Sequence, residues 1–365
     1  MRQGILSSWM KILSFMVVSV SSSDFMETPL CKIFGECGGC AYQDLSYAEE
    51  LQIKLASLKE ILRSKVNLAD ELFMPVAASP ESYYYRQRLD LTLRKVRGEW
   101  KLGYIHPEKH FLLEVEHCPI ARKEINVVLP GLKAAALANI PEKYKNANLV
   151  VRTDDSGKVR WGGIGRHSLR MQPEDYFSTM VKGVQVFYSL ETFFQANLFI
   201  LDSLMDRVAE LETWDQETLF FDLYSGVGLF GLVFANRVRE VIMIEESPAS
   251  DKIARYNVSH HNMGNVRVLD GSVEKHLPVL AESFRGRKIA LIDPPRKGLS
   301  PSVIECLKQT TSLPVLFYLS CSPESLARDL HDLTRDGDWK VESVHPFDFF
   351  PRTKHLETLV KLVRV

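Results

Sequence analysis

Two rhythms of apolar residues divide the chain. From residue 219 on, short apolar runs recur at 219–222, 241–244, 266–269, 289–292, 315–319 and 358–363, with helical patterns between them. A strand buried on both faces reads as such a run, and strand–helix alternation reads as an open, mostly parallel sheet of Rossmann-like type. Ahead of residue 190 the rhythm changes. Residues 83–101 alternate around Leu89, Leu91 and Leu93, the period of a half-buried antiparallel strand. Leu51, Leu55, Leu58 and Leu62 repeat at helical spacing and predict an amphipathic helix over 44–62. Residues 121–138 read as another helix, 149–153 and 158–161 as short strands, and 192–212 as a long helix opened by TFFQAN. The expected fold class is α/β in four parts: a tail (1–28), a β-rich region that carries cysteines (29–118), a small central α/β insert (119–190) and a C-terminal Rossmann-like domain (191–365). A chain of 365 residues has room for these cores.

The C-terminal domain is organised around LFFDLYSGVGLFG, residues 219–231. An apolar strand ends near Asp222 and breaks into a turn with Gly226, Gly228 and Gly231, which lets the backbone approach a bound molecule. A second strand closes on Glu245, nineteen residues after Gly226, where an acid takes ribose hydroxyls. The turn fits GxGxxG literally, so NAD has to be weighed. Asp222 opposes it, because a carboxylate at the strand end repels a pyrophosphate and attracts the sulfonium and ammonium of S-adenosylmethionine. Gln195, near the start of the helical stretch 192–212, could project toward such a ligand or serve as a buried capping amide.

A net charge of −1 gives no global sign of nucleic acid, so any basic surface must be local. The densest basic stretch is 83–101, where Arg86, Arg88, Arg94, Lys95, Arg97 and Lys101 stand among aromatics against Asp90 and Glu99. It could grip phosphates and stack bases, or equally form a solvated sheet edge guarded by charge. The six cysteines are not at secreted-disulfide density, and Cys31, Cys37 and Cys40 crowd into CKIFGECGGC with Cys118 in HCPI 78 residues on. Thiolates bind soft metals, and the residues alone leave zinc and an iron–sulfur cluster both open, in a reducing cytoplasm. Cys306, in VIECLKQ, reads as a core cysteine. Apolar residues from Ile5 to Val20 could pass for a secretory signal, but Ser7, Ser8 and Lys11 interrupt them and no small-x-small site follows. A true start at Met10 or Met26 fits the cytosolic chemistry better. No other stretch reaches the length of a membrane span, and neither a membrane partner nor an oligomer is expected.

Three strand ends carry further chemistry. The run 289–292 leads into Asp293-Pro294-Pro295-Arg296-Lys297-Gly298, a turn stiffened by two prolines. The run 315–319 leads into Ser320-Cys321-Ser322-Pro323, where a thiol near Arg296 and Lys297 could ionise readily. Finally FPRTKHLE, 350–357, brings His355 and Glu357 to the start of the last strand. A thiol and a carboxylate over one cofactor fit nucleophile and base roles.

Seven motifs in order, CxxxxxCGGC, HCPI, FFQ, DLYSGVG, DPPRKG, SCSP and FPxTxHxE, make the chain from Cys31 to Val365 resemble the RNA 5-methyluridine (uracil-C5) methyltransferase family. The resemblance is nearest to the iron–sulfur-containing 23S ribosomal RNA branch; the transfer RNA branch usually lacks the cysteines. It implies a C-terminal S-adenosylmethionine-dependent methyltransferase domain and a [4Fe–4S] cluster on Cys31, Cys37, Cys40 and Cys118. It also implies S-adenosyl-L-methionine held by Gln195, Tyr224, Glu245 and Asp293, with Cys321 as nucleophile, Glu357 as base and a flipped uridine as target. RNA 5-methylcytosine enzymes place a second cysteine after the DxP turn and adenine amino-methylases an aromatic after the prolines, where Pro295 and Arg296 stand here. Only thirty residues precede Cys31, so the N-terminal β-barrel RNA-binding module of many members is not expected, and RNA contact falls to 83–101. An NAD-linked iron–sulfur oxidoreductase is the competing class, resting on GxGxxG and the cysteines and opposed by Asp222 and SCSP.

Overall fold

The computed structural model describes residues 27–139, 144–164 and 169–365; the tail and the reading of its start lie outside them, except for residues 27 and 28. The first helix, α1 (Tyr47–Arg63), opens on a capping box between Ser46 and Glu49. Its buried face is not the leucine stripe that the spacing predicts. Leu58 and Leu62 are inside, but Glu50 and Lys54 take the other two places. Pairing makes this tolerable: Lys54 Nζ lies 2.7 Å from Glu50 Oε1 and 2.7 Å from Asp348 Oδ1.

Five strands form an antiparallel sheet: β1 (Arg88–Val96), β2 (Glu99–Ile105), β3 (Leu112–Glu114), β4 (Asn146–Thr153) and β5 (Val159–Gly163), ordered β3-β2-β1-β4-β5. Leu89, Leu91 and Leu93 pack with Ile125, Leu129 and Leu132 of α2 (Lys123–Asn139), as the period-two pattern requires. The sheet spans the expected boundary at residue 118. Strand β1 pairs with β4 from Arg88↔Arg152 to Arg94↔Asn146, so the first part of 119–190, as far as Trp161, shares its core with the preceding region instead of forming an insert of its own. A hairpin that the sequence reading did not foresee, β6 (Phe177–Val181) and β7 (Val184–Tyr188), packs into the core of the C-terminal domain.

The long helix expected over 192–212 is shorter. Helix α3 (Leu201–Glu210) begins only after the TFFQAN segment, whose carbonyls are engaged from outside. The buried guanidinium of Arg152 donates to the carbonyls of Ser189, Thr192 and Phe194, which holds 189–194 as a turn. Phe194 then stacks on Tyr188 at 4.2 Å.

The remaining strands form one seven-stranded sheet: β8 (Thr218–Leu223), β9 (Glu240–Glu245), β10 (Val266–Asp270), β11 (Arg287–Ile292), β12 (Val315–Ser320), β13 (Trp339–Phe347) and β14 (Glu357–Arg364), ordered β10-β9-β8-β11-β12-β14-β13. The first five are parallel; β14 runs against β12, and β13 against β14. Helices α4 (Leu229–Phe234) and α5 (Pro248–His260) join α3 on one face. Helices α6 (Val273–Ser283), α7 (Pro301–Gln309) and α8 (Pro323–Thr334) cover the other together with α1, and Cys306 is buried among them. The α/β class and the six apolar runs are therefore as read from the sequence; β13 was not foreseen. No helix among the described residues is long and apolar enough to cross a membrane.

Gly103 is where the five-stranded sheet admits only a hydrogen atom, because a Cβ there would overlap the Leu113 carbonyl. Gly103→Ala is expected to break the β2–β3 pairing at a cost of about 1–3 kcal/mol. Urea denaturation should show the loss, with faster amide exchange confined to 112–114; an unchanged midpoint would mean that this edge yields freely.

Candidate active site

Strand order reverses between β8 and β11, and open α/β sheets bind ligands beyond the carboxyl ends of strands at such a reversal. Strand β8 hands on to Tyr224, β9 ends in Glu245, β11 is followed by Asp293 and β12 by Cys321. Because β14 is antiparallel to β12, its start adjoins the end of β12. Ser320 pairs with Thr358, which sets Glu357 beside the turn that carries Cys321. Gln195 comes from another element, the turn gripped by Arg152, and is buried there.

The glycine turn is built to admit a ligand. Gly226 has φ +56°, with no heavy atom within 4 Å of where a Cβ would stand. Its amide donates to Glu245 Oε2 at 2.8 Å, and Ser247 donates to Glu245 Oε1 at 2.7 Å, so the acid is oriented before any ribose arrives. Tyr224 holds a left-handed φ of 59°, a conformation that costs a non-glycine residue on the order of 1–3 kcal/mol. Asp222 Oδ2 accepts the Gly231 amide at 2.8 Å, while Oδ1 is buried without a hydrogen-bond partner.

These groups crowd negative charge into a dry place. Burial pushes the Asp222 carboxyl up to about 7. Burial, then the Asp222 charge, raises Asp293. Glu357 is lifted far above the carboxylate range by burial and by Asp293, with Arg296 opposing. The Cys321 thiol is pushed up to about 12 by burial, Glu357 and Asp293, against a smaller pull from Arg296. The ready ionisation expected of Cys321 is therefore not found, because burial and two carboxylates outweigh the nearby cation. A sulfonium cation would relieve this repulsion, and the orphaned Asp222 oxygen and open Gly226 side make the site fit S-adenosylmethionine.

The cysteines lie elsewhere. Cys31, Cys37, Cys40 and Cys118 are all unpaired. Burial raises Cys31, Cys40 and Cys118, and the charges of the four act on one another; Cys40 is pushed up to about 12. Among the described residues, no group of three or more His, Cys, Asp or Glu side chains is drawn together to hold a metal ion.

The basic stretch is partly structural. Arg86 Nε donates to the Arg88 carbonyl at 3.0 Å, and its backbone bridges Ile120 and Arg122. Arg88 pairs with Asp90 at 2.7 Å and reaches the Leu190 carbonyl, whereas Lys95 and Arg97 are exposed. Sequence reading also missed Arg152, Arg352 and the Glu50–Lys54–Asp348 cluster. Only the i,i+4 placement of Glu50 and Lys54 hinted at the last.

Residues 171–365 match the family model described as tRNA (Uracil-5-)-methyltransferase. The chain belongs to this family. Its relatives include the tRNA (uracil(54)-C(5))-methyltransferase of Pyrococcus abyssi, 27% identical over 392 residues, with 94% of this chain and 88% of that protein covered. An uncharacterized RNA methyltransferase of Thermosynechococcus vestitus is 28% identical over 380 residues, covering 92% and 84%. The crystal structure of the Pyrococcus abyssi enzyme with S-adenosyl-L-homocysteine is similar at a TM-score of 0.70 and 25% identity, over 89% of this chain and 86% of that one. As a tRNA (uracil-5-)-methyltransferase family member, the chain is an S-adenosylmethionine-dependent RNA methyltransferase, and the oxidoreductase reading of GxGxxG falls away.

Protonation of Asp222 gives the family site a pH signature. With its folded value near 7 and its ordinary value 3.8, the folded state binds the extra proton between them. Stability should thus fall as pH rises from about 4 to about 7, by up to about 1.4 kcal/mol per pH unit for each such group. Chemical denaturation of the ligand-free enzyme at several pH values should show this slope, and Asp222→Asn should flatten it; an unaltered slope in the variant would place the proton elsewhere.

Proposed function

We propose that the chain makes 5-methyluridine in RNA with Cys321 as nucleophile and Glu357 as base, and that its substrate is 23S ribosomal RNA. The observation that carries the mechanism is the β12–β14 register, which brings a thiol and a carboxyl together at the mouth of the cofactor crevice. S-adenosylmethionine, when bound, supplies an electrophilic methyl group and a positive charge. Glu245, oriented by two amides, would take the ribose hydroxyls, with Asp293, Tyr224 and Gln195 holding the rest.

Uracil C5 is a weak nucleophile on its own. The Cys321 thiolate adds to C6, and the displaced π electrons make C5 enolate-like, the carbon that receives the methyl group. The Glu357 carboxylate then removes the C5 proton. The C5–H electrons re-form the C5–C6 double bond as the C6–S bond breaks and returns the thiolate. Burial raises both groups, so each gives its proton to solvent before its step, and Arg296 favours the anion of each. The flipped uridine must enter from a stack or duplex.

The choice of ribosomal RNA rests on the cysteine set. The Pyrococcus abyssi relative, named for uracil 54 of tRNA, favours transfer RNA as the second reading. Mapping 5-methyluridine in both RNA pools from cells with and without the gene decides between them. We also propose a [4Fe–4S] cluster on Cys31, Cys37, Cys40 and Cys118. Its support is the spacing of the four free cysteines in CKIFGECGGC and HCPI, the set that the resemblance to the iron–sulfur branch assigns to the cluster. The enzyme would act as a cytoplasmic monomer.

Two tests follow from these assignments. Cys321→Ala should bind S-adenosylmethionine and RNA yet transfer no methyl group, whereas Glu357→Gln should stall as methylated RNA attached to Cys321, visible as a shifted band on a denaturing gel. Turnover by Cys321→Ala, or methyl transfer without an adduct in Glu357→Gln, would overturn these roles. For the cluster, anaerobically purified protein should be brown with about four irons per chain, and Cys118→Ser should bleach it; stoichiometric zinc without acid-labile sulfide rules the cluster out.

A further inference from the structure

The loop between β13 and β14 spans 348–356 and ends on Glu357. It is tied down by the N-terminal segment 41–54 together with Tyr85. Three consecutive carbonyls are each bonded from outside. Lys54 Nζ donates to Phe350 at 3.1 Å, the Tyr85 hydroxyl to Pro351 at 2.9 Å, and the amides of Ala41 and Tyr42 to Arg352 at 2.8 and 3.2 Å. Asp348, at the head of the loop, accepts Lys54 at 2.7 Å and the Tyr47 hydroxyl at 3.0 Å.

Arg352 is the densest of these anchors. Its φ is 66°, a left-handed conformation held only because its surroundings determine it. Its amide donates to Glu50 Oε1 at 2.7 Å, and its guanidinium to the carbonyls of Leu45 at 2.8 Å and Tyr42 at 3.3 Å. The guanidinium also lies over the Tyr83 ring at 4.7 Å and the Tyr47 ring at 5.5 Å. Downstream, Thr353 Oγ1 bonds to the Phe350 carbonyl at 2.8 Å and receives the His355 amide at 3.1 Å, two residues before Glu357. Nothing in this chain of contacts touches the glycine turn or the end of β12.

We infer that Arg352 is a positioning residue that fixes Glu357 for removal of the C5 proton, by locking the 348–356 loop onto the segment 41–54. The inference rests on the reading of Glu357 as the base. Thr358 and the residues after it are held by the sheet, so loosening the loop should leave Cys321 and the cofactor carboxylates in place. The proton-removal step alone should suffer.

The test uses full-length enzyme, RNA tritiated at uracil C5 and S-adenosylmethionine with a carbon-14 methyl group. Arg352→Ala should bind the cofactor within about 2-fold of wild type and transfer the methyl group in a single turnover. Tritium release should slow about 10-fold or more, with covalent RNA accumulating on a denaturing gel. Arg352→Lys, which keeps a cation over Tyr83, should recover part of the rate. If Arg352→Ala does not fold, Tyr85→Phe removes only the hydroxyl on Pro351 and should show the same split at about 3-fold or more. Methyl transfer and tritium release that fall together, with no adduct, overturn the inference. Glu357→Gln is run beside them. Adduct there and none in the loop variants defeats this inference alone, whereas no adduct in Glu357→Gln defeats the base assignment beneath it.

Discussion

Because β14 runs against β12, Cys321 and Glu357, with 35 residues of chain between them, come to neighbouring positions at one end of the sheet. A slip of one residue would turn every side chain of β14 to the opposite face, so the pairing has to be firm. Both sides of the strand secure it. Strand β12 pairs from Val315↔Val363 to Ser320↔Thr358, and β13 lies along the outer side with Trp339 buried. Lys361 adds a pin where β14 meets α3, donating to the Leu211 carbonyl at 2.8 Å and pairing with Glu212 at 3.2 Å. The chemistry at one end of this strand is as good as the pairing along it.

Electrostatics set the resting state of that end. Asp222, Asp293 and Glu357 come from three strands, and none can ionise without feeling its neighbours in a medium that screens poorly. Burial and two of these carboxylates raise the Cys321 thiol as well. Glu245, at the end of β9, is held in place by the backbone amides of Gly226 and Ser247.

Much of the C-terminal half could be read directly from the chain. Apolar runs marked the strands, and residues at their ends fell at the mouth of the sheet because a parallel strand always delivers its last residue to the same edge. What escaped reading depended on burial, which spacing alone does not reveal. Glu50 and Lys54 occupy inner positions of α1 only because Asp348, some 294 residues away, completes their pairing. Cys321 looked activated by Arg296 because placement at one edge of a sheet carries no measure of desolvation. The β6–β7 hairpin and the shortened α3 follow from contacts made by Arg152 and the C-terminal core, both remote from the residues they shape. Arg86 stood in a stretch that read equally as a phosphate grip or a solvated sheet edge, yet its side chain bonds to the Arg88 carbonyl and its backbone to 120 and 122.

Arg152 has a consequence for how the two sheets stay aligned. Its guanidinium is buried, and its two terminal nitrogens donate to three carbonyl dipoles. Added electrolyte weakens attraction between exposed charges but reaches a buried charge–dipole contact far less. Binding of the polyanionic substrate, by contrast, must loosen as ionic strength rises. The joint between the five-stranded sheet and the Gln195 turn is thus insulated from the variable that governs substrate capture, and the enzyme can release its product without loosening its own frame.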